Sequence, residues 1–184
     1  LFNTHDIIID GSGDGSGSRD LTIKLTATSG SHAPIHIASS GVGQGCERIT
    51  IENVNIEAGH NGSTTSGIFI GGSTSVTASG ADNDSIVIDN VNIQKAYYGI
   101  YAYGTSANPA KRIYITDSSF GSDSTDNFIT QRGVYLYYAN NILVNYNHIY
   151  NLTTSSSTPQ GIYLYHSDTA TVMNNIIHSV KYTG

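Results

Sequence analysis

Aromatic side chains form the clearest chemical pattern in the sequence. Four segments begin with glycine and then alternate apolar and aromatic residues: Gly67-Ile-Phe-Ile70, Gly99-Ile-Tyr-Ala-Tyr103, Gly133-Val-Tyr-Leu-Tyr137 and Gly161-Ile-Tyr-Leu-Tyr165. Alternate residues of a strand face the same side, so the rings are expected to point outward. The first outward column is His36, Phe69, Tyr101, Tyr135 and Tyr163, and the second is Tyr103, Tyr137 and Tyr165.

These columns predict a carbohydrate-binding face. Stacked strands lie about 4.8 Å apart, so successive rings would form a flat strip. Flat aromatic faces with polar neighbours suit the faces and hydroxyls of sugar rings. The predicted contacts are Phe69, Tyr101, Tyr103, Tyr135, Tyr137, Tyr163 and Tyr165. The alternative is that the tyrosines only stabilise neighbouring strands, at roughly 0.2–1 kcal/mol per pair.

A catalytic group can be assembled around Arg132. Asp126 precedes it in a loop, and Tyr135 and His166 are expected on the same side of the chain. A tyrosine or histidine could act as a general base while arginine stabilises developing charge. Independent solvated residues explain this set equally well, so the sequence leaves open whether the protein is an enzyme.

The glycine-rich segment from Asp10 to Asp20 offers oxygen ligands for Ca²⁺. Asp10, Ser12 and Asp14 have the spacing of the first half of a calcium loop, and Asp20 is a further carboxylate. Leu21 stands where the bidentate glutamate of such a loop belongs. A flexible turn between strands is the alternative, and Ca²⁺ is the one cofactor that the sequence suggests.

Histidine and cysteine give weaker signals. The seven histidines are scattered, and only His32 and His36 have a chelating separation, so surface histidines are expected rather than a zinc site. The single cysteine, Cys46, has no internal disulfide partner and is expected to be a small buried residue.

An internal repeat must position these residues. I-x-I-x-N-x-x-I units begin at residues 49, 86, 113, 142 and 170, and Leu21-Thr-Ile23 is expected to open an earlier one. Each unit reads as three short strands, of which the aromatic segment is the third. The apolar residues face one side, so stacked units would enclose a continuous core. The bends between the first two strands fall at Asn53, Asn90, Asp117, Tyr146 and Asn174.

The residue types at these bends support a coiled repeat. Asn and Asp tolerate the left-handed backbone of a sharp corner, and their side chains can bond between coils. We expect this ladder to be weaker at Asp117 and Tyr146. The sequence therefore predicts an all-β fold: a right-handed, single-stranded parallel β-helix of about five to six coils with three short strands per coil.

These units resemble the parallel β-helix repeat of the pectate-lyase-like superfamily. The opening, Asp6-Ile-Ile-Ile-Asp-Gly-Ser12 followed by Ser18-Arg-Asp-Leu-Thr-Ile23, resembles β-helix regions of large modular proteins exported by bacteria. The resemblance implies architecture more than chemistry, because the superfamily includes lyases, hydrolases, tailspikes and non-catalytic adhesins. The paired-aspartate and Gly-His-Gly motifs of polygalacturonases are absent from the sequence.

Composition narrows the function classes. Eight Lys and Arg against 14 Asp and Glu give a net charge of −6, which disfavours nucleic acid as a partner. No apolar run is long enough to span a membrane. Low lysine content with abundant Ser, Thr and Asn favours a secreted or cell-surface location.

The chain is expected to be one domain over residues 1–184, excised from a longer protein, with both ends uncapped and covalent neighbours beyond them. Three functions follow: a carbohydrate-binding module, an adhesive or structural stalk, or part of a lyase or glycoside hydrolase that cleaves polysaccharides.

Overall fold

The fold is built almost entirely from short strands. The computed structural model describes residues 1–62, 64–155 and 157–184. In chain order the strands are β1 (His5–Asp10), β2 (Leu21–Lys24), β3 (Ile35–Ser39), β4 (Glu47–Glu52), β5 (Val54–Glu57), β6 (Ser66–Gly72), β7 (Asp84–Asp89), β8 (Asn92–Gln94), β9 (Tyr98–Tyr103), β10 (Ala110–Thr116), β11 (Ser119–Phe120), β12 (Arg132–Tyr137), β13 (Ala139–Asn145), β14 (His148–Tyr150), β15 (Thr153–Thr154), β16 (Gln160–Tyr165), β17 (Asp168–Met173), β18 (Ile176–His178) and β19 (Lys181–Tyr182). A 3-10 helix spans Thr125–Asn127.

The strands form three long parallel sheets that run along the molecule. The first has the order β1-β4-β7-β10-β13-β17, the second β2-β5-β8-β11-β14-β18 and the third β3-β6-β9-β12-β16. Spatial neighbours are therefore corresponding strands of successive repeats. The short strands β15 and β19 form a fourth, two-stranded sheet. This arrangement confirms the predicted parallel β-helix with three main strands per coil.

The strand pairing corrects the predicted start of the first coil. Leu21 pairs with Val54 and Ile23 with Ile56, so this segment is a second strand and not a first one. The first strand of that coil is β1, in which Ile7 pairs with Ile49. The spacing of 28 residues between Leu21 and Ile49 resembled the repeat by coincidence, because the glycine-rich loop lengthens this coil.

The core is a column of aliphatic side chains between the three sheets. In the central coils, the inward residues of β4, β7, β10 and β13 are isoleucine, valine or alanine and are almost completely buried. Parallel strands place equivalent residues directly above one another, so each isoleucine packs on its counterpart in the next coil. Ile49, Ile86, Ile113 and Ile142 form one such row.

The corners have the predicted left-handed backbone. Asn53, Asn90, Asp117, Tyr146 and Asn174 all have φ between 45° and 58°. The Asn90 Nδ2 donates a hydrogen bond to the Asn53 Oδ1 at 2.6 Å, and the Asn53 Nδ2 donates to the Asp10 Oδ1 at 2.8 Å. At Asn174, the side chain instead donates to the Asn145 Oδ1 at 3.0 Å.

A second left-handed column lies inside the first sheet. It contains Asp6, Arg48, Ser85, Arg112, Asn141 and Thr169, each immediately before a paired core residue. The flanking residues pair one to one, so these positions lie opposite one another and no strand carries an extra residue as in a β-bulge. Each first strand therefore has a left-handed kink at the same level.

Candidate functional site

The tyrosine columns form as the sequence predicts. Tyr101 pairs with Tyr135 and Tyr135 with Tyr163, while Tyr103 pairs with Tyr137 and Tyr137 with Tyr165. The centroids of the Tyr101 and Tyr135 rings are 4.7 Å apart with an interplanar angle of 6°, and Tyr103 and Tyr137 have the same geometry. The ladder continues to Tyr163 and Tyr165 with tilted rings.

The orientation of the rings differs from the expected flat strip. Two parallel rings with centroids 4.7 Å apart cannot lie side by side in one plane, because their edges would overlap. They must lie face to face, so each ring covers part of its neighbour's face. The outer surface of the ladder is therefore formed largely by ring edges and phenolic hydroxyls. We call the exposed part of this surface, formed by Tyr103, Tyr135, Tyr137, Tyr163 and Tyr165, the tyrosine strip.

Burial excludes Phe69 from the predicted carbohydrate contacts. It lies in the first column, between His36 and Tyr101, but its exposure is 0%. The segment after β6 folds back over it: the Gly72 amide donates to the Ala78 carbonyl at 2.8 Å, and the Gly80 amide to the Tyr103 carbonyl. A Cβ on Gly71 would come within 2.3 Å of the Phe69 Cζ, so glycine is needed for this close packing.

The remaining predicted contacts differ in exposure. Tyr101 is only 8% exposed, whereas Tyr165 is 41% exposed and Tyr103, Tyr135, Tyr137 and Tyr163 are half-buried. Tyr138 and His166 extend the strip sideways, with ring centroids 5.1 Å apart. Tyr138 was not predicted, because it stands outside the alternating motif, although it immediately follows β12.

Arg132 lies between aromatic rings at one edge of the strip. Its guanidinium carbon is 4.5 Å from the ring centroids of both Tyr135 and Tyr163, which are cation–π distances. The Arg132 Nε donates to the Gln160 Oε1 at 2.7 Å, and the Nη1 donates to the Tyr98 hydroxyl at 3.4 Å. Tyr98 and Gln160 were not predicted, because only the strand register places them beside Arg132.

The predicted catalytic set is only partly brought together. Arg132 contacts Tyr135, but His166 stacks on Tyr137, Tyr138 and Tyr165, farther along the strip. Asp126 lies in the 3-10 helix, and no ion pair joins it to Arg132 within the described ranges. Burial among the rings raises the pKa of Tyr135 to about 12, which opposes its use as a base at neutral pH.

Comparison with protein families agrees with the coil architecture. The family model for the right handed beta helix region matches residues 34–184. The chain belongs to this β-helix family. The resemblance to the pectate-lyase-like superfamily is consistent with that membership. No curated protein and no solved structure matches the chain significantly.

The glycine-rich loop of this β-helix does not gather its carboxylates around one point. The Asp10 Oδ1 accepts the Ser12 amide, the Asp14 Oδ1 accepts the Ser16 amide, and the Asp20 Oδ2 accepts the Gly13 amide. In the part of the chain that the structure describes, no group of three or more His, Cys, Asp or Glu side chains is placed to hold a metal. Ca²⁺ binding by the oxygens of this loop stays a prediction.

Cys46 is buried, and its amide donates to the Asn83 Oδ1 at 3.0 Å, as expected for a structural position. No helix among the described residues is long and apolar enough to cross a membrane.

Proposed function

We propose that this β-helix is a non-catalytic carbohydrate-binding module that acts at the cell surface or outside the cell. The observation that carries the proposal is the tyrosine strip, in which hydroxyl-bearing ring edges repeat from coil to coil. Phenolic hydroxyls both donate and accept hydrogen bonds, and the ring edges beside them are apolar. Sugars present the same mixture of hydroxyl groups and C–H surface.

The spacing of the strip favours a linear polysaccharide. The rings of Tyr103 and Tyr137 repeat at 4.7 Å, and those of Tyr137 and Tyr165 at 4.8 Å. This repeat is close to the length of one sugar residue in an extended chain. A polymer lying along the β-helix axis could therefore meet an equivalent hydroxyl at each successive residue.

A hydroxyl-bearing cleft beside the strip could receive one end of such a polymer. It has a volume of about 280 Å³ and is lined by hydroxyl side chains that include Ser40, Ser73, Ser79 and Thr105. The cleft adjoins the start of the second tyrosine column, because the Gly80 amide bonds to the Tyr103 carbonyl. Convergent hydroxyls at the edge of an aromatic surface are typical of carbohydrate sites.

The test separates hydroxyl binding from ring stacking. Tyr137→Phe keeps the stacked ring but removes its hydroxyl, and a triple variant does the same at Tyr103, Tyr137 and Tyr165. We expect Tyr137→Phe to weaken polysaccharide affinity, measured by retardation in native gels, about fivefold to thirtyfold, as for loss of one or two hydrogen bonds at roughly 1 kcal/mol each. The triple variant should abolish retardation, while its urea midpoint changes little.

The matched control is Tyr146→Phe. Tyr146 is 59% exposed but stands at a corner between the first two sheets, away from the strip. This variant should migrate like the wild type in every gel. If the wild type passes unretarded through neutral and acidic polysaccharides alike, carbohydrate binding is rejected.

A structural or adhesive stalk is the second candidate. It is favoured by the face-to-face stacking of the tyrosines, which stabilises neighbouring coils without any ligand. This function predicts that Tyr137→Ala lowers stability and that no polysaccharide retards the chain. A polysaccharide-cleaving enzyme has less support, since Asp126 and His166 do not join Arg132.

A further inference from the structure

The second sheet holds two histidines that sequence spacing did not bring together. His148 begins β14 and His178 ends β18, one coil later. Their Nε2 atoms are 2.8 Å apart, although the residues are 30 positions apart in the chain. Both are accessible, since His148 is half-buried and His178 exposed.

Aromatic stacking positions the pair. The ring of His148 lies 4.4 Å from the ring of Tyr150 with an interplanar angle of 15°. Tyr150 is paired with His178 in the sheet, and their rings are 5.9 Å apart. Tyr150 thus fixes the orientation of one histidine and borders the other.

We propose that His148 and His178 form a two-imidazole binding site for a divalent transition-metal ion. Imidazole nitrogens bind such ions at about 2.0–2.1 Å, so two nitrogens in adjacent coordination positions lie about 2.9–3.3 Å apart. The observed separation of 2.8 Å between the Nε2 atoms is close to this range. Both rings would turn so that their Nε2 lone pairs point at one ion, and the exposed His178 ring is the freer of the two to rotate.

The hydrogen bonds around the pair suit this role. The His178 Nδ1 lies 3.0 Å from the Ser179 Oγ, so an Nδ1–H can donate to that hydroxyl and leave the Nε2 lone pair free. The His148 Nε2 then donates to the His178 Nε2 in the metal-free protein. On metal binding, the His148 proton moves from Nε2 to Nδ1 through solvent, and both imidazoles remain neutral.

The donor set selects the class of metal. Imidazole nitrogen suits copper, zinc and nickel, whereas calcium and magnesium prefer oxygen ligands. Since no third His, Cys, Asp or Glu joins the pair in the described ranges, water or an external ligand must complete the coordination. Cu²⁺ is expected to bind most strongly, because it stands highest in the affinity order of the divalent first-row ions.

The test is titration of the full chain with Cu²⁺ in a non-coordinating buffer, followed by calorimetry and electron paramagnetic resonance. His148→Ala and His178→Ala should each weaken the first binding event at least about tenfold, since even loss of an outer-shell partner costs that much. The wild-type spectrum should show two equatorial nitrogens, and each variant at most one. Ser179→Ala should weaken binding by about tenfold without changing the nitrogen count.

His5→Ala is the matched control. His5 is an exposed histidine in β1, close to the chain's amino terminus, so this variant also checks for copper shared between the His5 imidazole and the terminal amine. It should bind the first ion like the wild type. Equal affinity in the wild type and in the double variant H148A/H178A would overturn the proposal. Circular dichroism of each variant establishes that it is folded.

The metal site and the tyrosine strip can be tested separately. His148 and His178 belong to the second sheet, whereas the strip belongs to the third. H148A/H178A should therefore leave polysaccharide retardation unchanged, and the tyrosine variants should leave copper affinity unchanged.

Discussion

At the scale of single residues, the tyrosine strip is distinguished by an arginine that lies between partly buried tyrosine rings. Arg132 packs between Tyr135 and Tyr163 and bonds to the neutral Gln160, with no carboxylate against it in the described part of the chain. Arginine suits this position because its planar guanidinium stacks on rings, which lysine cannot do. Its charge partly offsets the effect of burial on the Tyr135 hydroxyl, whose pKa is nevertheless raised.

The raised pKa predicts a loss of stability in alkaline solution. Tyr135 ionises near 10 in the unfolded chain but at about 12 in the folded protein, chiefly because burial disfavours the phenolate. Its contribution is complete below about pH 10 and is lost as the pH rises through about 12, where the folded state also ionises. The free energy of unfolding in urea should therefore fall between about pH 10 and pH 12.

The control for this prediction is Tyr135→Phe. Its stability should decline less steeply over the same pH range, while the remaining decline reflects Tyr98, Tyr101 and Tyr137, whose pKa values burial also raises. Identical pH profiles for Tyr135→Phe and the wild type would contradict the assignment.

At the scale of elements, the corners show which parts of the fold the sequence could predict. The Asn and Asp residues at the bends indicated a left-handed backbone, and their φ values agree. The left-handed kinks of the first sheet were not predictable, because Asp6, Arg48, Ser85 and Thr169 share no chemical signature. The kinks recur at one level of the sheet, which becomes visible only when the strands are paired.

Tyr146 is the exception among the corners and provides a test. It has φ +54°, a conformation that costs most residues roughly 1–2 kcal/mol and that asparagine tolerates better. Tyr146→Asn should therefore raise the free energy of unfolding by about 0.5–1 kcal/mol, measured by urea denaturation. Asn53→Tyr, the reciprocal change, should lower it by at least as much, since it also breaks the bonds to Asp10 and Asn90. If Tyr146→Asn instead lowers the free energy of unfolding, the tyrosine side chain stabilises this corner by its packing.

The sequence predicted which tyrosines of the candidate site pair with one another, but not how their rings are oriented. Pairing of Tyr101 with Tyr135 follows from the repeat alone, because equivalent residues of a solenoid stack. Whether ring faces or ring edges meet solvent depends on side-chain torsions, which the sequence does not specify. The burial of Phe69 depends on the longer segment between β6 and β7. His148 and His178 meet diagonally across the β14–β18 pair, since His148 is opposite Ile176 and His178 is opposite Tyr150, so their contact also depends on side-chain torsions.

At the scale of the whole molecule, stability is expected to vary along the axis. Every residue of β6 is buried, whereas every residue of β17 and β18 is exposed. Strands that pair on both sides open only when a neighbouring coil also opens. Amide hydrogen exchange should therefore be slowest in β6, β9 and β12 and fastest in β17 and β18.

Residue-resolved exchange measured by nuclear magnetic resonance checks this prediction. The internal control is β10, which pairs with both β7 and β13 and should match the slow group. Uniform exchange across all these strands would instead indicate that the chain opens as one cooperative unit.

The shared kink and corner positions also bear on how such a chain can change length over generations. In the three long sheets each strand pairs only with strands of adjacent coils, whereas the Arg19 side chain in the loop of the first coil reaches the Asn90 and Asp117 carbonyls of later coils. An in-frame duplication of one tyrosine-bearing coil, outside these loop contacts, would therefore join to its neighbours through the same strand pairing as the original. The tyrosine strip would lengthen by one rung in the same event, so the reach of the molecule and the number of its surface contacts would grow together.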